Sequence, residues 1–104
     1  MALYKKHRIL VVEDSEIAQS VAKSMLSQFG CAVDIAANGK DALGFWKDNT
    51  YDLIFMDVGL PDLDGYEVTY NIRVQELANK VHTPIIALTA HAGDENKKGA
   101  SMLA

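Results

Sequence analysis

The sequence predicts an α/β fold, a doubly wound parallel sheet, and three observations carry that prediction. Short apolar runs alternate with segments of helical periodicity, so that a strand-helix unit repeats four times. Such alternation calls for right-handed crossovers and parallel pairing. The run Leu53-Ile54-Phe55-Met56 shows no polar alternation, which suits a strand covered by helices on both faces. That run stops abruptly at Asp57, and Val58-Gly59-Leu60-Pro61-Asp62-Leu63-Asp64-Gly65 follows, dense in loop-forming residues. In open α/β sheets ligands bind beyond the carboxyl ends of the strands, so Asp57 stands where chemistry is placed.

The elements follow in order. Ile9-Leu10-Val11-Val12 reads as the first strand and ends in Glu13-Asp14. Ser15 is an N-cap. Ile17, Val21, Met25 and Phe29 then recur every fourth residue beside Ala18, Ala22 and Leu26, which makes a helix with one apolar face. Gly30 closes it from the position after the cap. Ala32 to Ala36 reads as the second strand, interrupted by Asp34. Asn38 with Asp41 three residues on marks the start of the second helix, with Ala42, Leu43 and Trp46 inward and Asn49-Thr50 at its end. Leu53 to Asp57 is the third strand. A third helix runs from near Asp64 through Val68 and Ile72 to about Leu77. Thr83 to Thr89 is the fourth strand, with Pro84 where no ladder donor is needed. Asp94-Glu95 opens a fourth helix whose apolar side is Ala100, Met102 and Leu103. Repeats, linkers and low-complexity segments are absent from the sequence.

Composition narrows the function classes. A chain of 104 residues, 49% hydrophobic and 23% charged, makes one ordinary globular domain. A formal charge of −4 argues against nucleic acid as a partner. Cys31 is the sole cysteine, which excludes an internal disulfide and fits a reducing cytoplasm. It reads as a small hydrophobe rather than a reactive thiol. The basic N-terminal stretch lacks the apolar length of a signal peptide, and no run reaches membrane-spanning length. The expectation is a cytoplasmic domain, or the cytoplasmic part of a membrane-bound parent. His7, His82 and His91 lack metal-ligand spacing. Tyr66, Tyr70 and Trp46 read as packing rather than as a platform for bases.

The carboxylates are the informative residues. If the first and third strands are neighbours, Glu13, Asp14 and Asp57 converge at one sheet edge. Like charges this close raise one another's pKa unless a cation offsets them. Hard oxygen donors suit Mg²⁺, held by one or two carboxylates with water and substrate phosphate. For Asp62 and Asp64 the plainer reading, capping of helices, is preferred. Thr89 ends the fourth strand at the same edge, where its hydroxyl can donate to an anion.

Together, Ile9-Leu10-Val11-Val12-Glu13-Asp14, Asp52-Leu53-Ile54-Phe55-Met56-Asp57, Leu60-Pro61-Asp62-Leu63-Asp64-Gly65 and Pro84-Ile85-Ile86-Ala87-Leu88-Thr89-Ala90 resemble the receiver domain of two-component response regulators. The order and spacing match across nearly the whole chain. Asp64-Gly65-Tyr66-Glu67-Val68 and Leu88-Thr89-Ala90-His91-Ala92 look most like receivers attached to hybrid sensor histidine kinases. The resemblance implies a flavodoxin-like receiver fold and a single domain over residues 1–104. It implies that Asp57 takes a phosphoryl group from a phosphohistidine of a histidine kinase or histidine phosphotransfer domain. Glu13, Asp14, Asp57 and the backbone carbonyl of Gly59 would hold Mg²⁺, with Thr89 as the switch hydroxyl. Gly59 and His91 fall at the two positions that tune the lifetime of the acyl phosphate.

The chain also departs from the family pattern. It stops after the expected fourth helix, so the family's fifth parallel strand, its lysine and its fifth helix have no counterpart. Lys97 and Lys98 lie before that point and are not assigned the role. With strand order 2-1-3-4-5 the fourth strand would become an open edge, uncovering Ile85, Ile86 and Leu88 and inviting a homodimer. Three other functions compete. A receiver-like binding module that never carries phosphate would follow from the missing lysine. A flavodoxin-like cofactor binder would need a phosphate-cradling loop where Glu13-Asp14-Ser15-Glu16 stands. An aspartate-nucleophile phosphatase would want an acid where Gly59 stands.

Overall fold

The computed structural model of the chain describes residues 6–89 and 99–103. Strands β1 (Arg8–Val12), β2 (Ala32–Ala36), β3 (Leu53–Asp57) and β4 (Ile85–Thr89) alternate with helices α1 (Glu16–Gln28), α2 (Gly39–Asp48) and α3 (Gly65–Asn79), and β5 (Gly99–Leu103) comes last. One sheet holds all five strands in the order β2-β1-β3-β4-β5. The first four are parallel, as the strand-helix repeat requires.

The local signals in the sequence are used as read. Ser15 caps α1 by accepting from the Ala18 N–H, and Asn38 caps α2 by accepting from the Asp41 N–H. Gly30, at φ 81°, ends α1. Its N–H reaches the Ser27 carbonyl, and the Cys31 N–H joins the Phe29 N–H on Leu26, so carbonyls of the last turn are satisfied. Asp64 caps α3 through the Glu67 N–H at 2.9 Å.

The core lies between the sheet and the α2–α3 layer, where Leu10, Val12, Ile54, Met56 and Ile85 meet Ala42, Trp46, Val68 and Ile72. Trp46 donates to the Thr83 hydroxyl at 3.4 Å inside it. Toward the amino ends of β1 and β3, Asp34 from the middle of β2 accepts from Arg8 of β1 at 2.9 Å and from the Tyr51 hydroxyl at 2.6 Å. The Arg8 guanidinium lies 5.3 Å over the Tyr51 ring, and its backbone N–H donates to Asp52. Three strands are thereby tied together at that end.

Two expectations are corrected. The fourth helix was to include Ala100, Met102 and Leu103; residues 99–103 instead form β5, antiparallel to β4 with Ile86 opposite Met102. Asp94-Glu95, its expected start, lie outside the described residues. The physical reason is the ladder. Unpaired N–H and C=O groups along β4 cost more than a short helical turn returns, and pairing satisfies them. Consequently β4 is not an open edge, Ile85 is fully buried, and the expected route to a homodimer through that edge is closed.

On α1 the apolar residues divide between the sheet and the surface. Ala18, Ala22 and Leu26 approach the sheet, whereas Ile17, Val21, Met25 and Phe29 are 79%, 52%, 57% and 80% exposed. The two stripes lie side by side at the same spacing, and the one that carries Ala18 and Ala22 faces the sheet. A groove of about 450 Å³ lies between this ridge and the sheet, with Val11 and Phe55 among its lining.

Candidate functional site

Register builds the site. Val12 pairs with Met56, so Glu13 and Asp14 follow immediately beyond the carboxyl end of β1 while Asp57 ends β3 beside it. The Glu13 N–H continues the ladder to the Ala36 carbonyl at 2.9 Å. Glu13, Asp14 and Asp57 each present a carboxylate oxygen, all within 4.8 Å of one another. The three acids that the sequence placed at one edge are together. Asp57 is opposite Leu88 in the β3–β4 register, so Thr89 lies one residue past that point on the neighbouring strand. His91 lies outside the described residues.

Negative charge is crowded at this edge. Burial first, and then the charges of Asp57 and Asp14, raise the Glu13 carboxyl above its ordinary range against the lowering effect of the Ser15 N–H. That N–H donates to Glu13 at 3.0 Å, and Gln19 donates to the Glu13 carbonyl at 2.6 Å, so the acid is held rather than free to swing away. Converging carboxylates that offer only hard oxygen donors fit Mg²⁺ in chemistry.

The loop after Asp57 is shaped by close contacts. The Gly59 N–H donates to Asp57 Oδ1 at 3.0 Å. Gly65 lies against the loop's start and its N–H reaches the Val58 carbonyl at 3.1 Å. Any Cβ at Gly65 would come 2.6 Å from the Asp57 carbonyl oxygen and 2.7 Å from Val58 Cα. At Gly59 a Cβ would meet only Asp57 Oδ1, at an ordinary 3.8 Å. Position 59 therefore has room for a side chain beside the site, whereas position 65 has none.

Sequence reasoning missed part of this arrangement. Asp62 does not cap its own helix: it reaches across to α2, accepting from the Gly39 N–H at 2.8 Å and the Lys40 N–H at 3.1 Å. It also missed buried Glu76, which accepts from the Thr83 N–H at 2.6 Å and from Arg73 at 2.7 Å. The only available signal was a glycine directly after the Asn38 cap.

The model of the response regulator receiver domain matches residues 9–103. The chain belongs to the response regulator receiver domain family. Among curated relatives, the receiver is 41% identical over 97 residues to hybrid signal transduction histidine kinase I of Dictyostelium discoideum, covering 86% of this chain and 6% of that one. It spans about a tenth or less of the length of such relatives. Among solved structures it resembles the response regulator TrrA of Thermotoga maritima, determined in complex with Mg²⁺-BeF, with TM-score 0.75 and 33% identity over 88% of this chain and 76% of that one. It also resembles the Saccharomyces cerevisiae complex of the histidine phosphotransfer protein Ypd1 with the receiver domain of Ssk1, with TM-score 0.72 and 33% identity, covering 85% and 65%. This receiver is a two-component phosphorelay domain of the kind carried by hybrid histidine kinases.

Proposed function

We propose that residues 1–104 act as a single receiver whose phosphoacceptor is Asp57, served by Mg²⁺ bound through Glu13, Asp14, Asp57 and the backbone carbonyl of Gly59. The observation that carries this reading is the convergence of the three carboxylates within 4.8 Å at the carboxyl ends of β1 and β3. A carboxylate oxygen of Asp57 attacks the phosphorus of a phosphohistidine; the P–N bond breaks, a P–O bond forms, and the imidazole nitrogen takes up a proton. Phosphoryl transfer asks mainly for in-line placement and charge neutralisation. Bound Mg²⁺ supplies the neutralisation. Glu13 and Asp14 hold their carboxylates toward Asp57, and the Gly59 N–H orients the nucleophile. Thr89, at the end of the neighbouring strand, is the hydroxyl that moves toward the phosphoryl oxygens.

The phosphodonor is a histidine kinase or a histidine phosphotransfer domain. A partner approaching Asp57 meets the N-terminal turn of α1, where the exposed ridge of Ile17, Val21, Met25 and Phe29 begins. An apolar ridge of this kind suits a helical partner. A cytoplasmic setting agrees with the single cysteine, and among the described residues no helix is long and apolar enough to cross a membrane.

The test is incubation of the protein with Mg²⁺ and a small phosphodonor such as acetyl phosphate, read by intact mass. One phosphoryl group should be added, and chelation or Asp57→Asn should abolish it. No addition would overturn the proposal in favour of a binding module that carries no phosphate, and addition that persists in Asp57→Asn would overturn Asp57 as the acceptor.

A further inference from the structure

Resting on the reading that the Gly59 carbonyl is a metal ligand, we infer that Asp62 is a positioning residue for the Mg²⁺ site, acting through α2. The loop from Val58 to Asp64 leaves the end of β3 and returns to the start of α3. At its near end it is held by the Gly59 N–H on Asp57 and by the Gly65 N–H on the Val58 carbonyl. In the middle, the loop is tied sideways by Asp62. The two carboxylate oxygens accept separately from the first two backbone N–H groups of α2, Gly39 to Oδ1 and Lys40 to Oδ2. Those donors have no partner within the helix, and negative charge is favoured at that terminus.

The post to which the loop is tied does not move easily. Ala42 and Trp46 of α2 are buried in the core, so the helix is fixed against the sheet. The fit is close: a Cβ at Gly39 would lie 2.8 Å from Leu63 Cβ and 2.9 Å from Val68 Cγ2. The Gly39 N–H above all, with the Lys40 N–H and neighbouring loop N–H groups, lowers the Asp62 carboxyl, so the tie keeps its charge. Because Asp62 is three residues from Gly59, the tie limits where the Gly59 carbonyl can go. Partners that orient a metal ligand without touching the metal commonly change affinity by 10–100-fold.

Direct Mg²⁺ binding to the unphosphorylated protein tests the inference, by calorimetry and by the amide shift of Gly59 in ¹⁵N spectra. Asp62→Ala should weaken Mg²⁺ by about tenfold, and Asp62→Asn, which keeps one acceptor oxygen and the size of the side chain, by less. Asn38→Ala removes the other cap of α2, on the Asp41 N–H, without touching the loop. It should lower thermal stability while leaving Mg²⁺ affinity within about twofold, since a lost cap acts on the helix alone. Unchanged Mg²⁺ affinity in both Asp62 variants, or equal weakening in Asn38→Ala, would overturn the positioning role while the metal site stands. A wild-type protein that binds no Mg²⁺ would overturn the metal reading itself.

Discussion

Gly65 rests directly on the backbone of Asp57: the β-carbon it lacks would lie 2.6 Å from the Asp57 carbonyl oxygen. The two nearest atoms in the way are backbone, which cannot swing aside. Gly65→Ala should therefore displace the end of β3 or the first turn of α3, with a loss of about 1–3 kcal/mol in urea denaturation. The same variant should shift the amide resonances of Asp57 and Gly59.

The acidic triad makes the metal-free domain carry its own repulsion. Neutralising one member by Asp14→Asn should raise the stability of the metal-free protein, by about 1 kcal/mol. Mg²⁺ at a hundred times its Kd should stabilise the wild type by about 2.7 kcal/mol and the variant much less. Thermal denaturation with and without chelator measures both effects.

Glu76 sets an acid limit on the fold. Burial alone would raise its carboxyl, but the Thr83 N–H, Arg73 and His82 together outweigh burial and hold it below its ordinary range. A depressed carboxyl stabilises the fold above its unfolded pKa and loses that contribution as pH falls through the lower, folded value. Stability should thus decline as pH drops below about 4.5, the ordinary glutamate value. Glu76→Gln should flatten that decline and lower stability at neutral pH, by about 3–5 kcal/mol at most, because it leaves Arg73 short of its charge partner. Urea midpoints across pH 3 to about 7 decide the matter.

The exposed ridge on α1 should matter to protein donors and not to small ones. Ile17→Asp or Val21→Asp should slow transfer from a phosphorylated histidine phosphotransfer domain by about tenfold or more. Labelling by acetyl phosphate should stay within about twofold, since neither side chain belongs to the carboxylate cluster. Equal loss with both donors would place these residues in the fold or the chemistry instead.

Much of this arrangement was legible from residues 9–89. Continuous apolar runs, Asp57 at the end of one of them and capping residues at their expected offsets are local signals, and local signals specify strands, helix starts and the edge where acids gather. What escaped was set by neighbours distant in sequence. Ala100, Met102 and Leu103 satisfy a helical face as well as a strand, and β4 decides between them by offering a ladder. The ridge on α1 has the spacing of a buried face, but spacing does not say which side the sheet will cover. Asp62 finds Gly39 across 23 positions and Glu76 finds Thr83 across a turn; neither pairing leaves a periodic trace.

Arg8 and Tyr51, at the amino ends of β1 and β3, share Asp34 from the middle of β2 as an acceptor, while the carboxyl ends of β1 and β3 carry carboxylates that push apart. The two ends of the sheet are therefore unlike: one is cross-linked by side chains and the other is crowded by like charge, so rearrangement at the carboxyl ends should fall on the loops rather than on the strand register. Amide exchange should show the contrast, slow in the buried central strands β1 and β3 and fast from Val58 to Asp64.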